Sequence, residues 1–301
     1  MTAAAAIVAS GFFSSSSVRT ALAVGAAVAL VSAPLGVFTV IRSQSFAGEA
    51  LGDTGTTGGA GGFLVGVGPL WGFLVINVAA GALMELLGVQ RSRGRDLATG
   101  VVLGAGLGLA ALFFYLDSTL HNTSGAPITV LFGSLFTVES STLPLVLVFG
   151  VLVLAVLAVI ARPLLLASTS PELAAARGVR VGLVGFAYLL SLSLSVALCA
   201  ITIGSILSTA LLIGPAAASL RIARRPGRAI VLAAGLGVAA TWLGVLLAYD
   251  SFEWSASHPW PVSFFVVALV FVEYLLCGLV GSRHRAHPTV LDTAPPATLG
   301  G

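Results

Sequence analysis

The chain of 301 residues contains no lysine: all fourteen of its basic side chains are arginine. Charge of either sign is scarce, at 8% of residues, against about 25% in an ordinary soluble domain. So few charges cannot cover the surface of a water-soluble globule, whereas 57% hydrophobic residues arranged in long runs suit a bilayer. The missing lysine excludes a nucleotide-hydrolysing P-loop, which needs one on the β- and γ-phosphates. Cysteine occurs only at Cys199 and Cys277, both inside apolar segments, where small packing residues are expected rather than a disulfide. The four histidines, His121, His258, His284 and His287, are spread over loops and tail and offer no cluster for a catalytic zinc; His284 and His287 are read as polar tail residues rather than a weak metal site. No HExxH or GxSxG string occurs, and the glycines of Gly104–Leu109 fall mid-span, where they serve helix packing rather than phosphate binding. The net charge of +3 comes without a basic stretch interleaved with aromatics, so nucleic acid is not an expected partner.

What remains reads as an all-α polytopic membrane protein. Apolar runs of span length, about twenty residues each, occupy 18–41, 48–66, 68–88, 97–116, 143–161, 181–199, 200–220, 228–249 and 261–281, predicting nine transmembrane helices. Residues 1–17 form a lead-in with no basic n-region, 18–281 the transmembrane domain, and 282–301 a tail whose Pro and small-residue composition predicts disorder. Alternating topology from Arg42 puts every arginine except Arg19 on one side, which the positive-inside rule makes cytoplasmic. Asp117, Glu139, Asp250 and Glu253 then lie at the outer face and make it attractive to cations. The weakest span is 48–66, where GDTGTTGGAGG crowds Gly and Thr into a membrane segment and predicts a broken or re-entrant stretch.

Ionisable groups at membrane depth are costly, at least about 2.5 kcal/mol on insertion scales, and mark candidate sites. Glu49 and Asp53 are four residues apart, one turn of one helix face, surrounded by Gly and by threonine oxygens. They either hold a cation or proton between them or belong to a polar loop in water. Glu273, mid-span without a basic neighbour, is either protonated at a helix contact or lines a path. Asp117 and His121, also four apart, form either an entrance site for a cation or a solvated helix end, and Glu85 is read as interfacial. Carboxylates without imidazole or thiolate suit Mn or Fe better than Zn.

Three strings carry a family resemblance. Gly204–Arg225, GSILSTALLIGPAAASLRIARR, with Gly204 and Pro215 at fixed positions, resembles the hallmark segment of the permeases of zinc/manganese/iron ABC importers. Ser170–Val181, SPELAAARGVRV, is similar to that family's cytoplasmic coupling segment, with Pro171, Glu172 and Gly178 in place. Leu131–Val138, LFGSLFTV, is similar to a third family string. The resemblance implies the fold shared by metal and metal-chelate importer permeases. It also implies a homodimer in the bacterial plasma membrane, a separate ABC ATP-binding subunit docked at 170–180, and an extracellular metal-binding lipoprotein. No covalent cofactor is expected, and the metal, Mn, Fe or Zn, is cargo. The family's Asp and His four residues apart in the second span correspond to Glu49 and Asp53, so position and spacing persist while ligand chemistry changes. A siderophore-type chelate permease and a stand-alone ion-coupled carrier using Glu49, Asp53 and Glu273 are the competing readings.

Overall fold

A computed structural model describes residues 15–87, 95–121, 125–133, 135–138, 141–254 and 260–285. The described chain is helical throughout. In order come α1 (Ser16–Ile41), α2 (Ser45–Val65), α3 (Pro69–Leu86), α4 (Arg95–Leu120), the short α5 (Ala126–Phe132), and a 3-10 turn at Leu135–Thr137. Then follow α6 (Thr142–Thr169), the six-residue α7 (Pro171–Ala176), α8 (Val181–Ile203), α9 (Ser208–Ile222), α10 (Pro226–Trp254) and α11 (Val262–Arg285). Each of the nine predicted spans has its helix. Seven are long and apolar enough to cross a membrane; α2 is too rich in Gly and Thr to qualify, and α9 is too short.

Three of the expected boundaries move. Segment 48–65 is not broken but part of one continuous helix, α2, which ends at Gly66, and neighbouring helices cover its glycine faces. The sixth span continues through Ile203, and the chain turns at Gly204, where φ is +89°. In the last span α11 runs to Arg285, so 282–285 are helical rather than tail. Residues 1–14, Arg91, Arg93, Glu139, His258, and 286–301 with His287 lie outside the described residues.

Two helices form the centre. α1 packs against α10, α9, α6 and α8, while α8 packs against α3 and α6, and both are enclosed over most of their length. Tyr188, Leu189, Leu192, Val196 and Cys199 of α8 are fully buried there, and Cys277 of α11 is buried as well. α9, α10 and α11 make a second group packed on α1, and α2, α3 and α4 a third that packs on α8, chiefly through α3.

At fifteen residues, α9 extends only about 22 Å at 1.5 Å per residue, short of a hydrocarbon core of about 30 Å. The α8–α9 turn is met by α5. The backbone N–H of Ser205 donates to the Val130 carbonyl at 3.0 Å, and the Ser205 hydroxyl donates to the same oxygen at 3.2 Å. Gly133 (φ +64°) and Gly204 sit backbone to backbone, and a Cβ on either would strike the other strand of the junction. The hallmark glycine is thus required twice, by its left-handed φ and by the closeness of a second stretch of chain.

Candidate functional site

The site is built on α2. Small residues give this helix two backbone-close contacts with α3: a Cβ on Gly72 would collide with the Gly58 carbonyl, and one on Gly62 with the Gly68 carbonyl. Removing side chains lets helices approach in a membrane, where no hydrophobic effect drives them together. The threonines satisfy themselves or bridge outward. Thr54 donates to the Ala50 carbonyl at 2.8 Å, and Thr57 donates to the Gly106 carbonyl of α4 at 2.5 Å. Ser205 spends its proton on Val130, so Thr56 is the donor in the 2.8 Å bond between their hydroxyls. On a further side α9 reaches in, with Leu212 and Ile213 against Gly48, and Ser208 and Thr209 against Gly52.

With those sides covered, the N-terminal half of α2 leaves one stripe open: Phe46, Glu49 and Asp53. Phe46 and Glu49 are exposed and Asp53 is half-buried, while Ala47, Gly48, Ala50, Leu51 and Gly52 are buried. The helix therefore presents both carboxylates outward on one face, one turn apart, with Asp53 next to Thr54, which meets Gly106 in the middle of α4, and Glu49 one turn nearer the start of α2. Their setting is a helix face rather than a polar loop. Two carboxylates supply oxygen ligands for a hard or intermediate cation. Among the described residues no group of three or more His, Cys, Asp and Glu side chains comes together, so one copy of the chain offers two carboxylates here and no third such ligand.

The other sequence candidates lie elsewhere. Asp117 and His121 do touch, with His121 Nδ1 3.2 Å from Asp117 Oδ1, but Asp117 is only 2% exposed and so is a buried residue rather than a solvated helix end. Glu273 is half-buried, with Oε2 enclosed and without a hydrogen-bond partner. It sits on α11, which packs on α9 and α10, whereas α2 packs chiefly on α3 and α4, so the structure does not bring Glu273 to the carboxylate stripe.

The expected coupling segment is a discrete helix. Ser170 caps α7, its hydroxyl accepting from the Leu173 N–H at 3.4 Å, and Pro171 holds the first turn. Gly178, at φ +79°, ends it, with its N–H on the Ala175 carbonyl at 2.9 Å. Glu172, Leu173 and Arg177 are all exposed, and Ala174 alone is buried. A short, capped, outward-facing helix has the form of a docking element. Pro215 is buried inside α9, where Ala216 packs against Gly36 of α1.

Sequence reading misses several polar groups. Asn77 of α3 is wholly buried against Gly55, with neither amide atom hydrogen-bonded; an isolated Asn in an apolar run is the available signal. The positive-inside rule treats Arg42 as a topology marker, yet it points inward. Its Nη1 donates to Ser168 Oγ at 3.0 Å and its Nε to Gln44 Oε1 at 3.2 Å, and its guanidinium lies 5.2 Å from the Tyr188 ring centre.

Comparison with known proteins agrees with this architecture. Residues 14–278 match the ABC 3 transport family. The chain is 28% identical over 232 residues to the manganese import system permease protein ScaB of Streptococcus parasanguinis, covering 77% of this chain and 81% of that one. It is 30% identical over 206 residues to the high-affinity zinc uptake system membrane protein ZnuB of Haemophilus influenzae, covering 68% and 78%. Its fold superposes on a chain of PsaBC from Streptococcus pneumoniae, solved in complex with Fab, with a TM-score of 0.79 at 22% identity, covering 93% of this chain and 98% of that one.

Proposed function

This chain belongs to the ABC 3 transport family, and from that premise we propose that it is the membrane permease of an ATP-driven importer of divalent metal ions, manganese foremost. The observation that carries the reading is the open stripe of Glu49 and Asp53 on a helix whose other faces are covered. A membrane-embedded carboxylate pair repels itself unless a cation or proton sits between its members, and hydrocarbon gives it no solvation. Two copies of the chain related by a two-fold axis would bring two such stripes together and complete an oxygen-rich site with four carboxylates. The metal is cargo there, held weakly enough to leave. The names of the relatives, which include manganese and zinc systems, fit a divalent cargo, and an all-carboxylate stripe leans toward manganese or iron over zinc.

The chain has no lysine with which to build a P-loop, so the work comes from separate ATPase subunits docked on α7. A binding protein outside delivers the ion. Alternating access then moves the cargo past Glu49 and Asp53.

Metal uptake by the assembled transporter tests the site. Glu49→Ala and Asp53→Ala are expected to abolish manganese uptake while the permease still assembles with its ATPase. Unchanged uptake in both variants would remove the site assignment, and uptake by the purified single chain without any ATPase would replace the reading with that of an independent carrier.

A further inference from the structure

Between the coupling helix and the carboxylate helix lies a polar cluster that the metal site does not use. Ser168 belongs to the last turn of α6, two residues before the Ser170 cap of α7. Its hydroxyl donates to the Leu164 carbonyl at 2.6 Å and accepts from Arg42 Nη1 at 3.0 Å. Arg42 ends α1. The same guanidinium, by its Nε, reaches Gln44, which is 2% exposed and starts α2: the Gly48 N–H donates to the Gln44 carbonyl at 3.1 Å. Under the guanidinium lies the ring of Tyr188, fully buried in α8. Thr39 gives its proton to the Leu35 carbonyl at 2.7 Å, so the Tyr188 hydroxyl is the donor in their 2.7 Å bond. The Thr39 methyl in turn lies against Gly48, the residue before Glu49.

One planar cation therefore holds the ends of α1, α6 and α2 together over a ring of α8. A guanidinium can do this because its donors project in fixed directions in one plane while its face stacks on an aromatic ring; an ammonium cannot. An arginine whose role was to mark the cytoplasmic side would extend to water and lipid headgroups, whereas this one is turned in and half-buried.

We propose that Arg42 is a positioning residue that transmits displacement of the coupling helix α7 to the carboxylate helix α2, pulling through Ser168 on one side and pushing through Gln44 and the Tyr188–Thr39 pair on the other. The inference rests on the reading of α7 as the ATPase dock and of Glu49 and Asp53 as the cargo site. Arg42 touches neither nucleotide nor cargo, so its loss separates two quantities that a folding defect would lower together: ATP hydrolysed and metal moved.

The test uses proteoliposomes holding the permease with its ATPase and binding protein, with Mn2+ as the probe and hydrolysis and uptake measured on the same vesicles. Arg42→Gln is expected to assemble and hydrolyse ATP at close to the wild-type rate while Mn2+ moved per ATP falls about tenfold, within the range that mutations along a coupling path produce. Arg42→Lys, keeping charge but not the planar fork, is expected to recover only part of that ratio. Adding Ser168→Ala to Arg42→Gln should cost nothing more, because residues sharing one interaction are not additive. An unchanged ratio in Arg42→Gln, or hydrolysis and uptake falling in parallel, overturns the proposal. If Arg42→Gln does not assemble, Tyr188→Phe decides: a lowered ratio supports the relay and an unchanged one overturns it. Wild-type uptake that ignores ATP would instead reject the functional reading itself.

Discussion

At the scale of the residue, glycine does in this chain what large apolar side chains do in a soluble core. Gly58 and Gly72 bring α2 and α3 into backbone contact, and neither position has room for a Cβ. Gly72→Val is expected to destabilise the fold by about 1–3 kcal/mol, as overpacking does elsewhere, read as a lowered midpoint in a thermal scan of the detergent-solubilised protein. Gly104, whose Cβ would meet nothing within 4 Å, is the control, and Gly104→Ala should not lower the midpoint. The carboxylate pair is legible from sequence because its spacing of four requires only that the segment be helical. Its exposure is not, since that depends on α3, α4 and α9 covering every other face of α2. Arg42 is illegible for another reason. An arginine just after an apolar run satisfies the positive-inside rule wherever its side chain points, and only the fold turns it toward Ser168 and Tyr188.

At the scale of the element, long apolar runs announce nine helices, and the failures fall where composition and environment disagree. The Gly- and Thr-rich α2 looks like a break because its sequence lacks hydrophobic weight, yet threonine hydroxyls returned to backbone carbonyls and close neighbours keep it helical. The short α5 and the turn at Gly204 are unreadable because each is defined by the other, through Ser205, Val130 and two glycines of positive φ. α7 is readable from its punctuation alone: a Ser cap, Pro at the start and Gly at the end. Reversing charge in its first turn is expected to break the dock, so Glu172→Arg should lose stimulated ATP hydrolysis by the assembled transporter, and normal stimulation would count against the coupling role. Gly178→Ala should act more mildly. A non-glycine residue in the left-handed region costs about 1–2 kcal/mol, which strains the exit of α7 without removing any docking side chain, so stimulation should fall only in part.

At the scale of the whole molecule, two helix groups, α9–α11 and α2–α4, flank the central α1 and α8, and the candidate site opens on the outer side of the second rather than within the bundle. On the proposed reading a single copy displays half a site, and the full one needs a second copy. Purified from its native membrane, the chain is expected to elute as a dimer with an ATPase subunit attached, and elemental analysis of that sample should find manganese or iron above zinc. Recovery of a monomer alone would oppose both the dimer and the importer. The burial of Cys199 and Cys277, the chain's two cysteines, has a practical consequence for observing such a cycle. Both native thiols are buried, so the wild-type protein is expected to label little with a water-borne maleimide. A single cysteine introduced at Phe46, on the open stripe beside Glu49, would then report by its labelling rate when that stripe meets water and when the partner copy closes over it.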